Sequence, residues 1–283
     1  MGFGHLMRCR TLARVLGVTP VVAIRGGRRA KRVARQTGWR VITHRQLWTL
    51  PPSVVVIDEP SGRHTRAIAE RARHCGHRPV PIAGLALMPS YSVVDPSLAR
   101  LKLLRDGVQR PRSANASAGR TRVLIALGGG AHVFSLAGHI SRVLAERVEG
   151  VTVVAAAGFA GRSRKPALTG GRWISAPAGL KKEFARATVA IVAGGVTLQE
   201  ACAAGVPAVA LPVVPAQRPA IRWLAARGAV VAPARVDAVG PCVARLIADR
   251  RRRRRLSSAG RRAVDGRGAL RLAQLIREVA DAA

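Results

Sequence analysis

Along the chain, short apolar runs alternate with longer stretches whose apolar residues recur every three or four positions. That is the pattern of parallel strands alternating with amphipathic helices. The first helical stretch opens the sequence: Leu6, Cys9, Leu12, Ala13 and Leu16 share one face, with Arg8, Arg10 and Arg14 elsewhere. Strands are then predicted over Pro20–Arg25, Trp39–Thr43, Val54–Asp58, Pro79–Leu85 and Tyr91–Asp95, with helices over Arg28–Thr37 and Arg63–Cys75. Segment 109–120, QRPRSANASAGR, is polar, rich in Pro, Ser and Gly, and aperiodic, so it reads as a linker. Beyond it, strands at Arg122–Leu127, Val151–Ala157, Trp173–Ser175, Val189–Ala193 and Ala208–Val214 alternate with helices at Phe134–Glu146, Leu180–Ala187 and from Thr197 to Gly205. A final helical pattern follows Arg250–Arg255 and runs through Ala280. The alternation predicts an α/β protein with two Rossmann-like, doubly wound parallel sheets: an N-terminal domain over 1–108, the linker, and a C-terminal domain over 121–283.

The densest chemical signal lies in residues 189–218, VAIVAGGVTLQEACAAGVPAVALPVVPAQR. An apolar strand stops at Gly194 and Gly195, Thr197 reads as the N-cap of the next helix, and Gly205 reads as its C-cap. Glycines at a helix mouth let a ligand's phosphates approach backbone N–H groups where the helix dipole is positive. Glu200, one turn inside, is placed to accept hydrogen bonds from sugar hydroxyls. The same residues also suit an ordinary tight turn with an acid early in the helix. The pattern alone leaves both readings open.

A second glycine turn, Gly2 to His5, feeds the opening helix as in the first turn of a Rossmann-like domain, yet no strand precedes it in the sequence. The expectation is a start codon placed too late, with an apolar strand encoded upstream. His5 is the main catalytic candidate, because an imidazole held at the carboxyl edge of a sheet can take a proton near neutral pH. Asp58 ends a run of three valines and an isoleucine, where such folds put ligand-facing residues, and is the second. With Glu59, it is placed to bind sugar hydroxyls or to supply a second base.

Composition narrows the classes. The net charge of +34 is carried almost wholly by Arg, 43 of the 48 basic residues, which reads as a coding bias more than as a designed polyanion site. Aromatic residues make up only 3% of the chain, too few for the stacking platforms of a single-stranded nucleic-acid binder, so no specific nucleic acid is expected. The run Arg250–Arg255 reads as a solvated helix face, with peripheral contact to an acidic membrane surface as the other use. Four scattered Cys with no C-x-x-C fit reduced thiols in a cytoplasmic protein. His74 and His77 near a helix end read as surface residues, and no metal or cofactor is expected.

The order GG-V-T-x-x-E, A-G-V-P, strand, A-Q resembles the nucleotide-binding half of GT-B enzymes that handle nucleotide sugars. With the opening G-x-G-H-x-x-R-C-x-x-L-A, it most resembles the UDP-sugar hydrolases of pseudaminic acid biosynthesis and the spore-coat-polysaccharide glycosyltransferase-like proteins, related to the lipid-II-forming N-acetylglucosaminyltransferase. The resemblance implies two domains facing a cleft. It places Gly4, Gly128, Gly129, Gly194, Gly195, Val196, Thr197, Glu200 and Gln217 on a UDP-sugar, with Glu200 on the ribose. It also implies that His5 activates water to cleave the anomeric C–O bond and release UDP. The alternatives are a glycosyltransferase with a sugar or lipid-linked acceptor, or a non-catalytic nucleotide-sugar or polyanion binder. The chain departs from the hydrolases at Asp58-Glu59-Pro60, where they have Asp-x-Tyr, at Gly128-Gly129-Gly130-Ala131, where they have Gly-Gly-Ser-Asp, and at Ala216-Gln217, where they have Asn-Gln. The nucleotide half is therefore better matched than the sugar-contacting positions.

Overall fold

A computed structural model describes residues 4–101, 121–128, 133–158, 164–176 and 179–282. The expected linker 109–120 and Gly129 lie outside the described residues. In chain order the elements are α1 (Gly4–Leu16), β1 (Val21–Ala23), α2 (Arg28–Gln36), β2 (Arg40–Ile42), α3 (His44–Leu47), β3 (Val54–Ile57), α4 (Gly62–His74) and β4 (Arg78–Pro81). They continue with β5 (Arg122–Ala126), α5 (Phe134–Ala145), β6 (Thr152–Ala156), β7 (Gly171–Ile174), α6 (Lys181–Arg186), β8 (Val189–Ala193), α7 (Val196–Ala204) and β9 (Ala208–Leu211). The last four are α8 (Arg218–Ala226), α9 (Val239–Ala248), α10 (Arg250–Ala263) and α11 (Gly268–Asp281).

The chain contacts form two compact units, one of residues 4–95 with 267–282 and the other within 96–266. This division departs from the expected boundaries in its treatment of the C-terminus. The apolar face of α11, with Ala269, Leu272, Ala273 and Ile276, shares a core with Leu12, Val80, Ile82 and Val93. In that first unit β1 pairs with β2 and β3 with β4, all parallel, as two separate two-stranded sheets. Ala13, Ala34 and Trp39 form a further cluster that Leu6, Cys9, Val22 and Val41 complete. Strand Pro79–Leu85 ends early, at Pro81, and Tyr91–Asp95 is not a strand. Leu85–Leu87 and Pro89–Tyr91 instead make 3-10 turns, because Pro89 favours a turn start and removes a ladder donor.

The second unit is one five-stranded parallel sheet in the order β7-β6-β5-β8-β9. Every residue of β8 is buried, as an all-apolar run in a sheet covered on both faces requires. Val123, Ile125, Val153, Ile191 and Val209 from the strands pack with Phe134, Ile140, Leu144, Val243 and Leu246 from α5 and α9. The chain builds outward from β5 in one direction and then restarts beside it at β8. The strand order therefore reverses between β5 and β8, the position where open α/β sheets take ligands at the carboxyl ends.

Two local expectations are corrected here. Thr197 is not the N-cap of α7: Gly195 is, with extended backbone and no side-chain cap, so Thr197 is the second helical residue. The C-cap is Gly205 as expected, at φ 71°. The arginine run is not one solvated face either. The apolar side of α10 packs through Leu256, Ser257, Ala259 and Gly260, with Ser257 Oγ donating to Gly205 O at 2.5 Å. That seating buries Arg253, which donates to Leu246 O at 2.6 Å and to Ile247 O, capping the last carbonyls of α9. Arg251, Arg254 and Arg255 remain exposed.

Candidate active site

In the first unit the helical period of α1 puts His5, Arg8 and Cys9 on one side, one turn apart, and the burial of Leu12 and Ala13 fixes that side against the core. Asp58 follows the last residue of β3, so strand and helix bring four polar groups together. Asp58 Oδ1 lies 2.7 Å from His5 Nδ1. Arg8 clamps the same carboxylate with two donors, Nη2 to Oδ1 at 2.6 Å and Nε to Oδ2 at 3.1 Å. Cys9 Sγ donates to Oδ2 at 3.8 Å. The Arg8 and Asp58 side chains are each 4% exposed, whereas that of His5 is 36% exposed. The pair is an interior anchor, and the imidazole is its accessible end.

Burial alone would raise the Asp58 pKa, but the hydrogen bonds from His5 and Arg8 and the charge of Arg8 outweigh it and hold the carboxyl below its ordinary value. An ionised carboxylate only accepts, so the proton it shares with His5 sits on Nδ1. Arg8 Nη2, 2.8 Å from that nitrogen, has its acceptor in Oδ1 instead. In the neutral imidazole this arrangement leaves the lone pair on Nε2, the tautomer a general base requires. The Cys9 thiol is pushed up to about 12 by burial and by the neighbouring Asp58 charge, which removes it as a nucleophile near neutral pH.

Asp58 is thus placed to orient His5, not to meet a sugar hydroxyl. Glu59 is likewise engaged: its Oε2 accepts from Arg25 Nη1 at 3.0 Å and its Oε1 from the Ser61 amide at 3.2 Å. That engagement argues against the expected second base. Arg8 belongs to the site although it was not among the expected residues; its i, i+3 spacing from His5 in the G-x-G-H-x-x-R pattern is the signal for it. Helix α3 was likewise not expected, and its Thr43–Gln46 capping box is a legible T-x-x-Q signal.

In the second unit Gly128, at φ 121°, follows β5 and Gly194-Gly195 follows β8, so both expected turns flank the point where the strand order reverses. Gln217, the N-cap of α8, is brought against the second turn. Its Oε1 accepts from the Val213 amide at 2.9 Å, which fixes the side chain beside Gly195. Val196, Thr197 and Glu200 are the half-buried residues on an otherwise buried stretch of α7, with Thr197 and Glu200 one turn apart on one face. The first amides of α7 lack intrahelical acceptors and carry the positive end of its dipole.

Gly194 is required by packing. A Cβ there would lie 2.7 Å from Ile221 Cδ1 and 2.8 Å from Gln217 Cβ. Gly194→Ala is expected to displace α8 and cost about 1–3 kcal/mol, as overpacking does. A denaturant melt unchanged from wild type would contradict that account.

No protein-family model matches the chain, and no curated protein matches it in sequence. Solved structures do. Over 97% of this chain and 96% of its own, MurG of Acinetobacter baumannii superposes with a TM-score of 0.62 at 14% identity. WaaG, a glycosyltransferase involved in lipopolysaccharide biosynthesis, covers 96% of both chains with a TM-score of 0.52 at 12% identity. A glycosyltransferase from Rickettsia africae covers 98% of this chain and 95% of its own, with a TM-score of 0.54 at 8% identity. The fold is therefore GT-B, an α/β architecture of two Rossmann-like units. At these identities the likeness defines the fold alone, and function rests on the residues of the site.

Proposed function

We propose that this chain is a glycosyltransferase that moves a sugar from a nucleotide-sugar donor, UDP-linked as the sequence resemblance implies, to a hydroxyl acceptor. The observation that carries the reading is His5: its Nδ1 is held by an ionised Asp58, which Arg8 fixes in turn, and this leaves Nε2 as the base. Nε2 takes the acceptor's O–H proton, and that oxygen attacks the anomeric carbon. The C1–O bond to the diphosphate breaks, and the nucleoside diphosphate leaves with the bonding electrons. Its charge is already spread over phosphates, so backbone N–H groups and the α7 dipole at Gly194-Gly195 suffice to stabilise it. Gly128 lies at the neighbouring strand end, Gln217 borders the phosphates, and Glu200 takes the ribose diol.

Hydrolysis is the second reading, with water in the acceptor's place. The G-x-G-H-x-x-R-C pattern favours it, whereas the GT-B neighbours named above favour transfer. Acceptor dependence separates the two: a transferase releases UDP faster when acceptor alcohols are added, and a hydrolase does not. The donor half has its own test. Glu200→Ala is expected to weaken UDP binding by about tenfold, because an unmatched ribose hydroxyl costs ~1–3 kcal/mol. Equal affinity by calorimetry would remove the ribose role.

A further inference from the structure

The sheet of the second unit is laid down from its middle: β5 comes first in the chain, β6 and β7 add on one side of it, and β8 and β9 on the other. The first unit repeats the two flanks of that order. Strand β2 pairs with β1, and β3 with β4, all parallel; among the described residues no strand joins the two pairs. Two contacts nevertheless set the pairs side by side. Helix α1 lies on both: Leu6, Cys9 and Ala13 share a cluster with Val22 and Val41, while Leu12, Val15 and Leu16 share one with Val54, Val56 and Val80. At the carboxyl ends Arg25, two residues past β1, meets Glu59, two residues past β3, at 3.0 Å. An arginine and a glutamate meeting tip to tip can bridge two strand spacings of ~4.8 Å each.

The backbone of β3 agrees. Ser53 O and Ile57 O accept from the amides of Arg78 and Ile82, so residues 53, 55 and 57 turn their peptide groups toward β4, and Val54 and Val56 turn theirs to the opposite edge. On β4 the outward positions are Pro79 and Pro81, which have no N–H, and that side is closed as natural sheet edges are. Val54 and Val56 carry no such block. Strand β3 is all-apolar, as strands covered on both faces are, yet its three valines are only half-buried, whereas every residue of β8 is buried. An apolar strand with an open edge is a template for pairing.

We propose that the facing edges of β1 and β3 take one further parallel strand, supplied by residues that precede α1 in the full-length protein, and that this strand closes the first unit into a five-stranded sheet. The second unit identifies the occupant. There the middle strand, β5, is the one that leads into α5, and α1 holds the corresponding place in the first unit. The amino end of α1 already lies at the carboxyl edge, where His5 meets Asp58. A strand entering α1 at that edge reaches β1 by the helical crossover that parallel neighbours require. Like β5, which has five residues with four of them buried, it is short and apolar. The inference stands whichever reaction His5 serves.

Amide exchange tests it on the 283-residue chain and on two versions extended ahead of Met1, one by Arg-Val-Leu-Ile-Ala, the sequence of β5, and one by Arg-Pro-Leu-Pro-Ala. In the unextended chain Val54 and Val56 should exchange about 100 times faster than Val55 and Ile57; the apolar extension should slow them by about tenfold or more and raise the urea midpoint, and the proline version should do neither. Val54 and Val56 as protected as their neighbours without an extension, or unaffected by the apolar one, overturns the proposal. Protection that appears in the unextended chain only as its concentration rises assigns the edges to a second copy and overturns it too. Intact mass of the protein isolated from its native cells is the independent check. An apolar segment of about five residues or more ahead of Met1 is expected, and a mass no greater than that of residues 1–283 overturns the assigned source.

Discussion

Replacing His5 with Gln is expected to lower the single-turnover rate of sugar transfer by about 10²–10⁴-fold, the range over which a positioned general base acts. UDP affinity should stay within about twofold, because the base meets the reacting proton and not the nucleotide. His5 is the exposed end of the His5–Asp58–Arg8 group, so its replacement removes one hydrogen bond to Asp58 and leaves the Arg8–Asp58 pair intact. Loss of rate without loss of fold is thus the signature of a base. Gln at wild-type rate would leave the reaction without a proton acceptor among the groups described around Asp58, since Arg8 is always charged and the Cys9 thiol is held neutral.

The second large effect is on stability. Asp58→Ala removes the partner of a guanidinium that is 4% exposed, and breaking a buried pair from one side costs about 3–5 kcal/mol. Asp58→Asn should recover part of that loss, because an amide oxygen still accepts from Arg8. It should nevertheless lose rate, since the carboxylate that fixes the His5 tautomer is gone. Acid should reproduce the stability effect in the wild type. The folded pKa of Asp58 lies below its ordinary 3.8, so its contribution is complete above that value and is lost as pH falls through the folded pKa. Wild type should lose stability relative to Asp58→Asn only below about pH 4. Urea melts of the two proteins from pH 7 to pH 3 measure it, and parallel curves would show that Asp58 is not an ionised partner of Arg8.

The parts legible in the sequence were those with strong local periodicity. The five strands of the second unit, two of them (β8 and β9) all-apolar and two of them followed by glycines, follow from strand length and turn chemistry, and they sufficed to place Gly128, Gly194 and Gly195 at strand ends. The first unit was less legible, because its strands are only three or four residues long and partly exposed, so apolar runs such as Leu85–Leu87 read equally well as strand or turn. Thr197 shows a limit of another kind. A Thr before a helical pattern is the usual cap, but Gly195 already supplies the extended backbone, and the helix starts one residue before the Thr.

Long-range consequences were out of reach for the same physical reason. That α11 belongs with the first unit depends on which apolar face finds a partner, and composition does not encode it. Arg8 and Arg253 look like members of a solvated arginine surplus, and only tertiary burial separates them from the exposed ones. One is paired with Asp58, and the other sits on the carbonyls that end α9. His5 and Asp58 were each visible as candidates, but the bond that makes one the orienting partner of the other spans 53 residues.

The central claim, that His5 draws a proton from an acceptor hydroxyl as UDP leaves, is tested most directly by UDP release. Wild type and His5→Gln would be incubated with a panel of UDP-sugars, with and without sugar alcohols and charged sugars as acceptors. The account predicts that wild type releases UDP from at least one donor, that an acceptor accelerates release by about tenfold or more, and that His5→Gln abolishes the acceleration while still binding UDP. Equal release by wild type and His5→Gln, or no release from any donor by a wild-type protein that binds UDP, would contradict it.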